Sequence, residues 1–137
     1  MLRTETKTRA RTLQVLYAWE IQGGPSVPSV AAGLLGGDAR RVEVLERAEE
    51  RAGAVVAAIP RLDAEIGAAA DNWRLERIGV IERNILRLAL FEIEQGSVPV
   101  KVAINEAIRL ALWFAGPKAP PFVNGVLDTI AHRLGRL

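Results

Sequence analysis

The chain has 137 residues, 50% of them hydrophobic and 25% charged, a balance that supports one folded domain with its own core and argues against extensive disorder. The absence of cysteine excludes disulfides, thiolate metal sites and thiol nucleophiles, and is compatible with a reducing cytoplasm. A net charge of +2 excludes a general electrostatic attraction to nucleic acid, but Arg3, Lys7, Arg9 and Arg11 meet only Glu5 near the N-terminus, so that arm is the most basic local segment.

The first helix is predicted from Thr4 or Thr6, either of which could cap it through a hydroxyl, to Gln22, where Gly23, Gly24 and Pro25 stop it. At about 100° per residue, Leu13, Leu16, Tyr17 and Glu20 share one side, while Lys7, Arg11, Gln14 and Ala18 line the other and point Lys7 and Arg11 to solvent. Arg9 falls nearer the core side. Cations at a helix start oppose the local dipole by about a few tenths of a kcal/mol each when exposed, a cost that asks for a reason.

The segment GGPSVPSVAAGLLGG reads as a connection carrying at most one short helix, at VAAGLL. Asp38 can cap the next helix, in which Val42, Leu45, Ala48, Ala52, Val55, Val56 and Ile59 keep helical spacing. Pro60 is predicted to kink that helix, which continues through Leu62 and Ile66 toward Ala70 and a turn at Asp71 and Asn72. LERIGVIERNILRLALFEIE is apolar on most sides, as a central helix would be, with Glu76, Arg77, Glu82, Arg83 and Arg87 expected on its solvent edge.

Gly96 and Ser97 end the central helix. Pro99 opens the next, PVKVAINEAIRLALWFA, and Gly116 and Pro117 close it. A final helix covers FVNGVLDTIAHRL, with Pro121 at its first position. No stretch alternates with period two and no fixed repeat recurs, so the fold is predicted to be all-α, a compact bundle of about six or seven helices. The most apolar stretch, AINEAIRLALWFA, carries Asn105, Glu106 and Arg109, which excludes a membrane span and leaves a soluble, cytoplasmic protein as the expectation.

Catalytic and metal readings lack parts. His132 has only Asp128 one turn before it, and two ligands do not make a metal site. Nucleotide-phosphate loops are absent, and pairs such as Glu49 with Glu50 or Glu92 with Glu94 read as solvated helix faces. No cofactor is expected. The basic arm is different, since Gln14 extends the Lys7 and Arg11 stripe with an amide and Tyr17 and Trp19 lie nearby. Such mixtures of cation, amide and ring read single-stranded RNA, although rings at helical spacing are more often core. Phe122, after the Lys118-bearing loop, is either a core anchor or a stacking platform.

Three stretches, RARTLQVLYAWE, IERNILRLALFEIE, and PVKVAINEAIRLALWF followed by FVNGVLD, resemble the NusB family of transcription antitermination factors, from about Lys7 to about Asp128. The resemblance implies a single domain over residues 1–137, built as two packed helical bundles. It further implies binding of the boxA element of nascent RNA together with NusE, a small-subunit ribosomal protein, within the RNA polymerase antitermination complex, without catalysis. By the same resemblance Lys7, Arg9 and Arg11 become RNA contacts, Phe122 lies beside the RNA path with Lys118 in the preceding loop, and Tyr17 and Glu82 face NusE.

The sequence departs from the family where Glu5 and threonines dilute the arginine-rich arm, where GPKAPP replaces a more acidic loop, and where Arg74 in NWRLER takes the place of a capping serine. Asn105, Glu106, Asn124 and Gly125 read as structural, fixing helix ends or allowing close packing. NusB relatives vary in oligomeric state, and a homodimer could hide the RNA surface. Two other readings compete: the NusB-like RNA-binding domain of an rRNA cytosine methyltransferase, of which this chain would be a fragment, and a protein-only adapter with a merely solvated arm.

Overall fold

In the computed structural model, residues 3–34, 42–70 and 74–136 are described, and among them are seven α-helices and no strand. They divide into two compact units, one within Met1–Ala57 and the other within Ala58–Leu137. The expected cap Asp38 and the expected turn at Asp71 and Asn72 lie outside the described residues.

In the first unit α1 (Thr4–Ile21) packs along α3 (Val42–Ala57), and α2 (Val27–Gly33) touches both. The N-cap of α1 is Arg3, with no side-chain cap, so neither Thr4 nor Thr6 serves as expected; Thr6 is buried instead. Leu13, Val15 and Leu16 supply an apolar buried face in the second half of α1, whereas the first half buries Thr6, Thr8 and Thr12. A buried hydroxyl left unbonded costs about 1–3 kcal/mol. Thr8 avoids this by donating to the Thr4 carbonyl at 3.0 Å, and Thr12 by donating to the Thr8 carbonyl at 2.7 Å.

Beyond α1, Gly23 and Gly24 take φ of +85° and +80° and turn the chain, as their glycine pair foretold. The short helix begins earlier than expected, at Val27, because Ser26 caps it by accepting from the Ser29 N–H at 3.3 Å and Pro28 fits its first turn. Leu45, Ala48, Ala52 and Val55 of α3 are buried, in keeping with their spacing.

The second unit surrounds α5 (Val80–Gln95) with α4 (Ile59–Ala69), α6 (Val100–Ala115) and α7 (Ala119–Arg133). Instead of a kinked continuation, α4 is a new helix: Ala58 breaks the run with φ −99° and ψ 0°, and Pro60 stands in the first turn, where its missing N–H forfeits nothing. The central helix also starts later than expected. Leu75–Arg77 forms a 3₁₀ turn, Arg74 before it supplies no side-chain cap, and α5 follows from Val80.

From Asn84 to Leu90 every residue of α5 is buried, as expected of a helix with neighbours on several sides. Two expectations of exposed charge fail there. Arg87 is only 6% exposed and Glu92 only 4%, because the interior supplies partners. The Arg87 guanidinium grips Asp63 of α4 with both ends of its fork, Nε to Oδ1 at 2.7 Å and Nη2 to Oδ2 at 2.8 Å.

Gly96 ends α5 in the left-handed region at φ +68°, its N–H bonding the Glu92 carbonyl at 3.1 Å, while Arg136 donates to the Ile93 carbonyl at 3.1 Å. Gly96→Ala is expected to cost about 1 kcal/mol, read as a lower urea midpoint with unchanged slope. Pro99 immediately precedes α6. The last helix opens at Ala119, two residues before the expected Pro121, so that Pro120 and Pro121 both lie in its first turn.

Candidate nucleic-acid and partner interface

In the first unit, Lys7, Arg11 and Gln14 recur at intervals of four and three along α1 and so form one row. Lys7 is exposed, and Arg11 and Gln14 are half-buried, with Arg11 Nη1 donating to Gln14 Oε1 at 2.9 Å. Arg3 adds an exposed cation just before the helix. Glu5, the one acid of the arm, lies 3.4 Å from Arg51 of α3, so part of its charge is answered away from the row. Arg9 is enclosed, only 4% exposed, which bears out its reading as a core-side residue and leaves little of it facing a ligand.

Farther along the same helix Tyr17 is 41% exposed and Ile21 59% exposed, one turn apart. An unburied ring followed by an unburied isoleucine makes an apolar strip beside the cationic row. Sequence reading missed Ile21, although its spacing from Tyr17 was the available signal.

In the second unit the 3₁₀ turn and the facing ends of three helices enclose a cleft of about 290 Å³. Arg77, Ile78, Gly79 and Glu82 form one wall; Ala115, Lys118, Ala119 and Phe122 form the other. Three residues singled out from the sequence, Glu82, Lys118 and Phe122, therefore meet at one place. Arg77 joins them as a second cation that the sequence had suggested only as solvent edge. The turn is held by Arg83, whose Nη1 donates to the carbonyls of Leu75 at 3.2 Å and Ile78 at 2.9 Å.

The cleft thus offers two cations, one carboxylate and one ring among small apolar residues. That set can hold a phosphate, stack a base or accept a donor from another chain. On α6, Arg109 sits 5.8 Å from the ring centroid of exposed Trp113, a surface cation–π pair that sequence reading did not single out.

His132 lies 3.6 Å from Asp128 with both exposed, and among the described residues no three His, Cys, Asp or Glu side chains gather into a metal site. No described helix is long and apolar enough to cross a membrane. Asn105 and Asn124 are exposed, and a Cβ at Gly125 would meet nothing within 4 Å, so close packing does not account for that glycine.

The NusB family model matches residues 6–132. The transcription antitermination protein NusB of Anaeromyxobacter sp. (strain Fw109-5) is 38% identical over 129 residues, covering 94% of this chain and 90% of the relative. Its counterpart in Dehalococcoides mccartyi (strain CBDB1) is 38% identical over 135 residues, covering 98% and 94%. Among solved structures, NusB of T. maritima superposes with a TM-score of 0.83 at 27% identity, covering 96% of this chain and 93% of that one. A crystal structure of antitermination factors NusB and NusE in complex with double-stranded RNA gives a TM-score of 0.78 at 27% identity, covering 97% and 99%.

Proposed function

The chain belongs to the NusB family, and on that premise we propose that it is a transcription antitermination factor that binds boxA-type RNA together with NusE. The protein acts in the cytoplasm as one domain over residues 1–137. It joins the RNA polymerase antitermination complex and favours read-through on ribosomal RNA operons by binding alone, without catalysis or cofactor. The observation that carries the RNA reading is the Lys7, Arg11 and Gln14 row, two cations and an amide presented together along one face of α1.

Lys7, Arg11 and Gln14 take phosphates and base edges, and Arg9 joins them only when its side chain leaves its enclosed seat. Lys118 and Phe122 supply a charge and a ring from the cleft. Tyr17, with Ile21 beside it, and Glu82 face NusE. The relative solved with NusE and RNA supports both partners.

The test is binding of a short boxA-type RNA, with and without NusE, on protein whose mass in solution is known. Tighter RNA binding in the presence of NusE is expected, and Tyr17→Ala should reduce that gain about tenfold, the loss of roughly 1.4 kcal/mol at an aromatic contact. RNA binding that is negligible at every salt concentration would leave the protein-only adapter as the better description.

A further inference from the structure

We infer that Gly79 is a positioning residue: its missing side chain is the seat in which the Glu82 carboxylate is held toward the cleft, ready for a hydrogen-bond donor of the protein partner. The inference rests on the partner-facing reading of Glu82.

Gly79 is the N-cap of α5, with φ −54° and ψ 148°. Any amino acid adopts that backbone conformation, so left-handed freedom is not what calls for glycine here. Capping does not call for it either, because Asp, Asn or Ser would satisfy the free amides of the first turn better. The space is the distinguishing feature. A Cβ built on Gly79 would lie 2.9 Å from Glu82 Oε1, 2.9 Å from Oε2 and 3.1 Å from Cδ. Both carboxylate oxygens therefore rest where a side chain at position 79 would begin.

Glu82, third residue of α5, folds back over the helix start, where the dipole favours a negative charge. Among the described residues its carboxylate has no ion pair or side-chain hydrogen bond. Arg83, next in sequence, directs Nη1 to the carbonyls of Leu75 and Ile78. Glu82 is half-buried and lines the cleft with Arg77, Lys118 and Phe122. A carboxylate lodged in that gap with its acceptor capacity unspent suits a donor brought by another molecule.

Because the obstructing atoms are the end of a flexible side chain, alanine at 79 can be accommodated by displacing the Glu82 carboxylate, with the backbone kept. The experiment measures NusE association of the full chain carrying Gly79→Ala, Glu82→Ala or both, with helix content followed by circular dichroism. Each single change is expected to weaken association about tenfold, as loss of one charged hydrogen bond does, and the double change to weaken it no further.

Undiminished association of Glu82→Ala would overturn the partner-facing reading itself. Weakening by Glu82→Ala but not by Gly79→Ala would overturn the positioning role alone. Effects that multiply in the double variant would also overturn it, since Gly79 would then act independently of Glu82. Glu82→Asp supplies a further check: its shorter carboxylate retreats from position 79, so adding Gly79→Ala to it should change association less than twofold.

Discussion

Alanine at position 87 is expected to lower the unfolding free energy by about 3 kcal/mol, the low end of the loss typical of one partner removed from a buried ion pair, because the Asp63 left behind is one-fifth exposed and can be partly solvated. Such a loss is a large fraction of the roughly 5–15 kcal/mol that holds a domain folded. The size follows from what Arg87 joins. Its guanidinium bonds both oxygens of Asp63, and its Nη1 donates to the Asn84 side-chain oxygen at 3.1 Å. Asn84, fully buried, in turn donates to the Val80 carbonyl at 2.9 Å. Truncation removes the fork that answers the Asp63 charge and leaves a space among close-packed helices.

Urea denaturation of Arg87→Ala beside Arg61→Ala is the informative comparison. Arg61 meets Glu94 at 3.3 Å but is mostly exposed, so its loss should cost only about 0.5 kcal/mol. Equal effects of the two substitutions would contradict the network. Replacing Arg87 and Asp63 together with well-packed apolar residues should recover much of the loss, because the pair's Coulomb gain is offset by desolvation.

The second large effect concerns RNA. The double substitution Lys7→Glu and Arg11→Glu is expected to weaken boxA-type RNA binding roughly a hundredfold, two charged contacts at about 1.5 kcal/mol each. It should also flatten the dependence of log K on log salt by about 1.4, at about 0.7 per single-strand phosphate contact. The fold should survive, since Lys7 is exposed and Arg11 half-buried, and a carboxylate near a helix N-terminus is favoured by the dipole. Arg9→Glu is a poor substitute, because it would place a negative charge in an enclosed position and mix misfolding with lost binding. An unchanged salt slope in a folded double variant would move the RNA site elsewhere.

Most of the fold was legible wherever a local signal decides. Helical spacing marked Leu45, Ala48, Ala52 and Val55 of α3 for burial, and Gly96 and Gly116 marked helix ends. Signals that depend on a distant partner were not legible. Arg87 reads as solvent edge until Asp63, on another helix, is seen opposite it. The burial of Thr8 and Thr12 gave no signal, because hydropathy does not register a hydroxyl returned to its own helix. The break at Ala58 was read as a kink because Pro60 alone serves equally well for either.

The candidate site divides in the same way. Lys7, Arg11 and Gln14 lie on one helix, so their row could be read from spacing, and so could the inward lean of Arg9. Glu82, Lys118 and Phe122 come together only through the packing of α5, α6 and α7, and their common cleft had no counterpart in the sequence. Gly79 was likewise silent, since the space beside it belongs to a side chain three residues ahead.

The bond between Arg11 and Gln14 has a thermodynamic corollary. Two long side chains that would otherwise sample many rotamers are already tied into one rigid group before any ligand arrives, so less disorder remains to be lost on binding. Arg11 still has most of its five N–H donors to offer, and the Gln14 amide keeps its NH₂. Breaking the tie with Gln14→Leu should therefore weaken RNA binding by more than the removed contact alone, with a less favourable binding entropy measured by calorimetry.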